Sequence, residues 1–375
     1  MRLSPTWFAA LVMGLGACRA TEPAPLSPMD LVPECHQAIA DTLDPEHLDA
    51  AAVVVDLLHK HDAVLLGEHH ADVAEIDFLV SVLNQIERPT ALAMELIPRA
   101  AQNALNRALM AETLTDRSWP GIVGHKYWPA PLHVAEYSRI LDAVRAARAR
   151  GVDIQIIGLA PQCRLPPGGD SQHRAQAIRC FKERDDRMLD RLREVRVDLP
   201  AHTILVSAGW RHVSATRLPS SPRAMGMDLP AHWSIQRILL AGTEQALEDG
   251  RSRATCGGAP AAIAEAAGRP VFLSASQPTW GLSSCVEVEG ESMEPLDKSF
   301  DAVIGLPAGA APTPWDRYTF ARVPAEDRTA WARTRASLMA KSWPDGGPEA
   351  LERWAAQDVA KTAARQAARV VDCSL

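Results

Sequence analysis

The sequence predicts an α/β fold in which a largely parallel central sheet is flanked by helices on both faces and stabilised by disulfides. Three observations carry this expectation. Helical and strand-like stretches alternate from about Pro33 onward, as in parallel sheets covered on both sides. AVLLG (63–67) is an apolar run that reads as a buried strand. Six cysteines remain once Cys18 of the N-terminal region is set aside, an even number that suits disulfides in an exported chain.

The elements follow in order. MRLSPTWFAALVMGLGACRA opens with Arg2, then a short apolar run from Trp7 to Gly16, then small residues before Cys18. That run is shorter than the ~20 residues a membrane-spanning helix needs, so residues 1–17 read as a secretory signal. LGAC resembles the lipobox of bacterial lipoproteins, which makes Cys18 the expected acylated N-terminus. Arg19 is not the Asp that favours inner-membrane retention in enteric bacteria, so the expectation is an exported protein lipid-anchored to the outer membrane. Residues 18–33 are Pro-rich and aperiodic, an extended tether. Residues 34–375 read as one domain, because neither an internal repeat nor a clear boundary interrupts them.

EHLDAAAVVVDLLHKH (46–61) has helical spacing, and AVLLG follows as a strand. DVAEIDFLVSVLNQI (72–86) places Val73, Ile76, Leu79, Val80 and Leu83 on one helical face. TALAME (90–95) is a strand ending in Glu95. RAAQNALNRALM and LHVAEYSRILDAVRAARARG are helices, the second closed by Gly151. DIQIIGLA (153–160) is a third strand, SQHRAQAIRCFKERDDRMLDRLREV (171–195) one long amphipathic helix, and HTILVSAG (202–209) a fourth strand. SIQRILLAG, PVFLSAS and FDAVIGLPAG read as further strands. The Gly/Ala-rich interval 242–268 reads as a surface excursion, and two amphipathic helices close the chain.

The chain of 375 residues carries a formal net charge of −7 and has no Lys/Arg-rich block, which argues against a nucleic-acid partner. No second long apolar run is present, so the lipid on Cys18 is the membrane link. Six cysteines allow 15 connectivities. Nearest-neighbour pairing gives Cys163–Cys180 and Cys256–Cys285, leaving Cys35 for Cys373. The sequence has no CxxC, HExxH, P-loop, GxSxG or strand-borne GxGxxG, which leaves zinc-ribbon, serine-hydrolase, nucleotide and dehydrogenase readings without support.

Acids and imidazoles follow strands: Glu68 and His70 after the first, Glu95 at the second, His212 after the fourth. Ligands bind at the carboxyl ends of strands in open parallel sheets, so these four are expected on one rim. Strand alternation puts Glu68 and His70 on one face and His69 on the other. A carboxylate on an imidazole fixes its tautomer and frees the second nitrogen for a proton or a metal. Gly67 is read as the point where the backbone turns closely.

LLGEHHAD, then ALAMEL with a nearby Gln102, then AGWRHV resemble the motifs of the ChaN/Tiki/erythromycin-esterase superfamily, and of its ChaN-like branch in particular. The matched positions are Gly67, Glu68, His69 and His70, then Glu95, then Gly209 to His212. KERDDRML is similar to the Arg/Asp-bearing helix ahead of the last motif, making Arg184 and Asp185 candidates, although charged pairs on such helices are mostly solvated. The resemblance covers residues 63–213, with a weaker echo at 300–314. It implies haem or metal-ligand binding in iron uptake first, hydrolysis as the alternative, and a binding scaffold that has lost its chemistry as a third reading. ChaN-like lipoproteins are linked to haem binding and iron uptake. The Tiki proteases are metal-dependent, and the esterases activate water with a Glu/His site. In the first, His125, Tyr127 and His133 of GHKYWPAPLH are the candidate haem contacts, with haem or another small molecule as the partner and a homodimer as a further expectation. In the second, Glu68, His70, Glu95 and His212 perform water activation, either as general base or with His70, Glu95 and His212 holding a divalent transition metal, while Arg184 or Asp185 stabilises the substrate.

Overall fold

The computed structural model describes residues 37, 40–41, 43–44, 48–68, 73–110, 134–161, 179–180, 182–216, 224–242, 258–274, 286–288, 292–294 and 296–307. Its centre is a seven-stranded sheet in the order β3-β2-β4-β1-β5-β9-β6. The strands are β1 (Ala63–Glu68), β2 (Thr90–Pro98), β3 (Ile154–Ala160), β4 (Thr203–Gly209), β5 (Ile235–Ala241), β6 (Val271–Ser274) and β9 (Ala302–Gly305). Every pairing is parallel except that of the edge strand β6 with β9. A separate antiparallel pair joins β7 (Val286–Val288) to β8 (Ser292–Glu294). The α/β architecture and its largely parallel sheet are as the sequence predicts.

Alternation along the strands divides the core into two layers. Val64, Leu66, Leu92 and Met94 face one cluster, built with α1 (Ala50–Lys60), α2 (Val73–Gln85), α3 (Gln102–Met110) and α4 (Val134–Ala149). Ala63, Leu65, Ala91 and Ala93 face the other, built with α5 (Arg184–Asp198) and α7 (Gly258–Ala267). Phe78 and Leu105 on the first layer and Met188 and Leu192 on the second are almost wholly shielded from water. Each such side chain contributes roughly 1.5–3 kcal/mol through removal from water.

Local signals set the element ends. Asp49 caps α1 by accepting from the Ala52 amide at 3.1 Å, an interaction worth ~1 kcal/mol. Gly151 closes α4 at φ 89°, with Val152 N–H reaching back to the Ala147 carbonyl. Gln102 serves the sheet: it donates to the Ile156 carbonyl and accepts from the Gly158 amide, both at 2.8 Å, so it continues the hydrogen bonding of the edge strand β3.

Four expectations need correction. β2 does not end at Glu95 but runs to Pro98, because Leu96 and Ile97 are also buried and the pairing with β3 shifts register after Met94. The interval 242–268 is not wholly a surface excursion: α7 occupies its end and buries Ala261, Ile263 and Ala264. The helix expected over 171–195 is interrupted by a turn at Glu183, and α5 starts afresh at Arg184. Gly67 does not turn the chain, since β1 continues through it to Glu68.

Cys180 is disulfide-bonded. The other five cysteines named for pairing, Cys35, Cys163, Cys256, Cys285 and Cys373, lie outside the described residues, as do Cys18, the signal, the tether and the closing helices. Among the described residues no helix is long and apolar enough to cross a membrane.

Candidate functional site

β4 is the strand that gathers the site. It lies between β2 and β1, with Met94 beside Ser207 and Glu68 beside Gly209. Directly after it, Trp210–Val213 form a single helical turn, α6. A Cβ on Gly67 would lie 3.0 Å from the Trp210 Cα and 3.2 Å from its Cβ. The missing side chain therefore lets α6 rest on the end of β1, and this close approach is what the glycine provides.

Glu95 sits on the face of β2 shared with Ala91 and Ala93, under α5, and its side chain is 0% exposed. A buried carboxylate of this kind is tolerated only when it is paired and hydrogen-bonded. Glu95 Oε2 accepts from the Gly209 amide at 2.7 Å, while Oε1 accepts from Arg184 Nη2. The same Oε1 lies 3.4 Å from His212 Nε2. On the other side of the imidazole, His212 Nδ1 is 2.7 Å from Asp185 Oδ1, which also accepts from the Met225 amide at 2.9 Å. The result is a linear array, Asp185, His212, Glu95 and Arg184, most of it shielded from solvent.

Arg184 and Asp185 are thus not on a solvated helix face. The break at Glu183 puts them in the first turn of α5, where they reach the ends of β2 and β4. Asp185 is buried. Glu68 is buried too, but it follows Val64 and Leu66 in the alternation and so springs from the opposite face of the sheet. Ser207, on the same face as Leu205, donates to Glu68 Oε2 at 2.7 Å. The structure brings together Glu95, Arg184, Asp185 and His212, and it holds Glu68 one strand away on Ser207.

Sequence reasoning missed Ser207 and the Gly209 and Met225 amides. Ser207 lies two residues before the glycine of AGWRHV, so period-2 alternation could have flagged it. The backbone donors left no signal in residue type. His69 and His70 lie outside the described residues, as do His125, Tyr127 and His133.

The charge count suits proton transfer. Arg184 carries one positive charge and Glu95 and Asp185 one negative charge each, so the array is neutral when His212 is protonated. With neutral imidazole it is one proton short. The Asp185 contact directs Nδ1–H to the carboxylate and leaves Nε2 to exchange the proton. Metal ligation fits these described atoms poorly, because a cation on Glu95 Oε1 would meet the Arg184 guanidinium already there. Among the described residues no group of three His, Cys, Asp or Glu side chains is arranged to hold a metal ion.

Trp210 carries the Arg211 guanidinium 5.3 Å from its ring centroid, a cation–π contact at the exposed edge of α6. Below the array, Arg237 of β5 donates to the Gly226 carbonyl from Nη2 at 2.7 Å and from Nε at 3.1 Å. Burial pushes the Arg237 guanidinium below its usual pKa, while the nearby Asp301 carboxylate pulls it back up.

Residues 54–165 match the family described as haem-binding uptake, Tiki superfamily, ChaN. The superfamily that the motifs resemble is the one this segment matches, and the segment includes the motifs at Gly67 and Glu95. No curated protein matches the chain. Among solved structures, an erythromycin esterase mutant in its open conformation is similar at 12% identity and TM-score 0.50, over 74% of this chain and 97% of that one. A succinoglycan biosynthesis protein is similar at 12% identity and TM-score 0.51, over 73% of this chain and 96% of that one. ChaN of Campylobacter jejuni, with cofacial haem, aligns at 14% identity and TM-score 0.39, over 68% of this chain and 91% of that one. At such identities the first two likenesses show the shared fold.

Proposed function

We propose, from the ChaN/Tiki superfamily match and the array at the strand ends, that the protein is a hydrolase in which His212 is the proton-transferring group. The observation that carries this reading is the 2.7 Å contact between His212 Nδ1 and Asp185 Oδ1, with the opposite nitrogen turned to Glu95 at 3.4 Å. Asp185 orients the ring and stabilises it when charged. Nε2 accepts a proton from a water or substrate hydroxyl, and the array becomes neutral as it does so. Glu95 stabilises the imidazolium, and the Arg184 guanidinium pairs with the buried Glu95 carboxylate. The exposed side of Arg184, 27% open to solvent, is placed to meet negative charge developing on a substrate oxygen.

A panel of esters, lactones and peptides tests this reading with the wild-type protein, His212→Ala and Asp185→Asn. Asp185→Asn keeps the shape of the pair but no longer stabilises the charged ring. The expected loss in kcat is on the order of 10²–10⁴-fold. Hydrolysis proceeding at the wild-type rate in both variants would rule His212 out.

A second reading has its own support, since the matched family is described as haem-binding uptake. In it the chain takes haem non-covalently, with His125, Tyr127 and His133 as the residues to examine. When bound, haem would supply an iron that one of these side chains would hold through a His nitrogen or the Tyr oxygen. A saturable Soret shift that weakens in Tyr127→Phe and His133→Ala supports it, and an unsaturable spectrum at stoichiometric haem opposes it. Either function is placed at the outer membrane by the acylation proposed at Cys18. Mass spectrometry of the membrane fraction tests that, and a mature Cys18→Ser chain that stays membrane-bound contradicts it.

A further inference from the structure

Residues 224–226 meet the His212–Asp185 pair at consecutive backbone groups. Met225 N–H donates to Asp185 Oδ1 at 2.9 Å, and Gly226 N–H donates to the His212 carbonyl at 2.8 Å. The Gly226 carbonyl accepts the paired contact from Arg237. Gly226 is in turn pressed against α6: a Cβ there would lie 2.0 Å from the Val213 carbonyl oxygen, a backbone atom that cannot yield. Only glycine allows the strand–loop–helix approach at this point.

Arg237 is itself rigidly held. It lies within β5, in register with Leu65 of β1. Its amide donates to Asp301 Oδ2 at 2.7 Å, and its carbonyl accepts from the Asp301 amide at 2.9 Å. The side chain is largely shielded, at 19% exposure. A buried cation is expensive unless its donors are used, and here two of them converge on one carbonyl. Ordinary packing of the loop would need only apolar contacts, such as those of Met225 and Leu229 in the same layer.

We propose that Arg237 is a positioning residue for the Asp185–His212 pair, acting through the backbone of Met225 and Gly226. The sheet fixes Arg237, Arg237 fixes the Gly226 carbonyl, and the two neighbouring amides hold the carboxylate and the histidine main chain. This deepens the reading of His212 as the proton-transferring group and rests on it for its functional meaning. The geometric claim can be tested without any substrate.

The test is ¹⁵N NMR of the histidine-labelled full chain at a pH where the imidazoles are neutral, with His212 assigned by its loss in His212→Gln. In the wild-type protein the His212 ring is expected as one tautomer, protonated at Nδ1. In Arg237→Met the two His212 nitrogen resonances move toward each other as that tautomer loses its fixed partner. Arg193→Gln, an exposed change on α5, leaves them in place. Should Arg237→Met fail to fold, Arg237→Lys makes the same reading, since it keeps the charge beside Asp301 but gives up the paired contact. Displaced His212 resonances in the folded variant support the proposal, and resonances identical to wild type overturn it. The outcome is separable from the hydrolase reading: displaced resonances without any detectable hydrolysis would sustain the clamp and remove the activity.

Discussion

Replacing Arg184 by Met tests the electrostatic core of the site most directly. The substitution keeps the aliphatic length of the side chain and removes one charge. Glu95 then remains with a side chain that is 0% exposed, without its guanidinium partner but still beside the Gly209 amide at 2.7 Å and His212 at 3.4 Å. Breaking a fully buried pair costs roughly 3–5 kcal/mol, because the surviving charge is left without compensation. Two features reduce that figure. Arg184 is 27% exposed, so part of its attraction is screened. The Gly209 hydrogen bond survives, and such bonds to charged groups are worth about 1.5–3 kcal/mol. The expected destabilisation is therefore about 2–3 kcal/mol, which a domain stable by roughly 5–15 kcal/mol survives. Urea unfolding measures it against Arg187→Met, whose pair with Glu183, the residue just before α5, is 50% and 41% exposed and should cost below about 0.5 kcal/mol. Adding Glu95→Gln to Arg184→Met removes the stranded charge and should restore part of the loss. If Arg184→Met and Arg187→Met unfold at the same urea concentration, Glu95 is not the buried, Arg-dependent carboxylate described above.

Asp62 closes the opposite end of the sheet, where it accepts from Arg196 and from the Ser234 amide at 2.9 Å. Asp62→Ala should cost about 1–2 kcal/mol in thermal or urea unfolding, with no effect on ligand or substrate, because the six residues of β1 separate it from the rim by about 20 Å. Gly67→Ala should destabilise by about 1–3 kcal/mol, since its Cβ would press on the Trp210 backbone at 3.0 Å. A melting temperature equal to wild type would show that α6 has room to retreat. Hydrogen bonds from Arg191, and then from Arg99, hold the Glu194 carboxyl below its usual range. A depressed carboxyl stabilises the fold above its unfolded value near 4.3 and loses that contribution as pH falls through the folded value. Glu194→Gln should thus cost below about 0.5 kcal/mol at pH 7 and nothing in strong acid, which paired unfolding curves at the two pH values will check.

Much of the architecture was legible because strands and helices write their periods into the chain. AVLLG and TALAME lie on strands of the central sheet, DIQIIGLA and HTILVSAG do so from their second residue, and the glycine expected to close α4 does so at Gly151. The Gly/Ala-rich stretch misled at α7, where small residues pack a helix tightly against β9 instead of marking a loop; Gly305 lies so close that a Cβ there would meet the Pro260 carbonyl at 2.0 Å. Glu95 and His212 were found because a carboxylate and an imidazole beside buried strands are conspicuous.

By itself the sequence determined the α/β layering, the acids and imidazoles at the strand ends and the superfamily resemblance, since periodicity and residue type are properties of the chain. Tertiary structure alone decided which of those groups meet. It turned Arg184 and Asp185 from an ordinary charged helix face into partners of Glu95 and His212, and set Glu68 on Ser207 on the other side of the sheet. It also placed Arg237 beneath the array through a glycine carbonyl. The physical reason is that hydrogen bonds reach only about 3 Å, and which residues lie within that reach depends on strand order, register and face, none of which local sequence specifies.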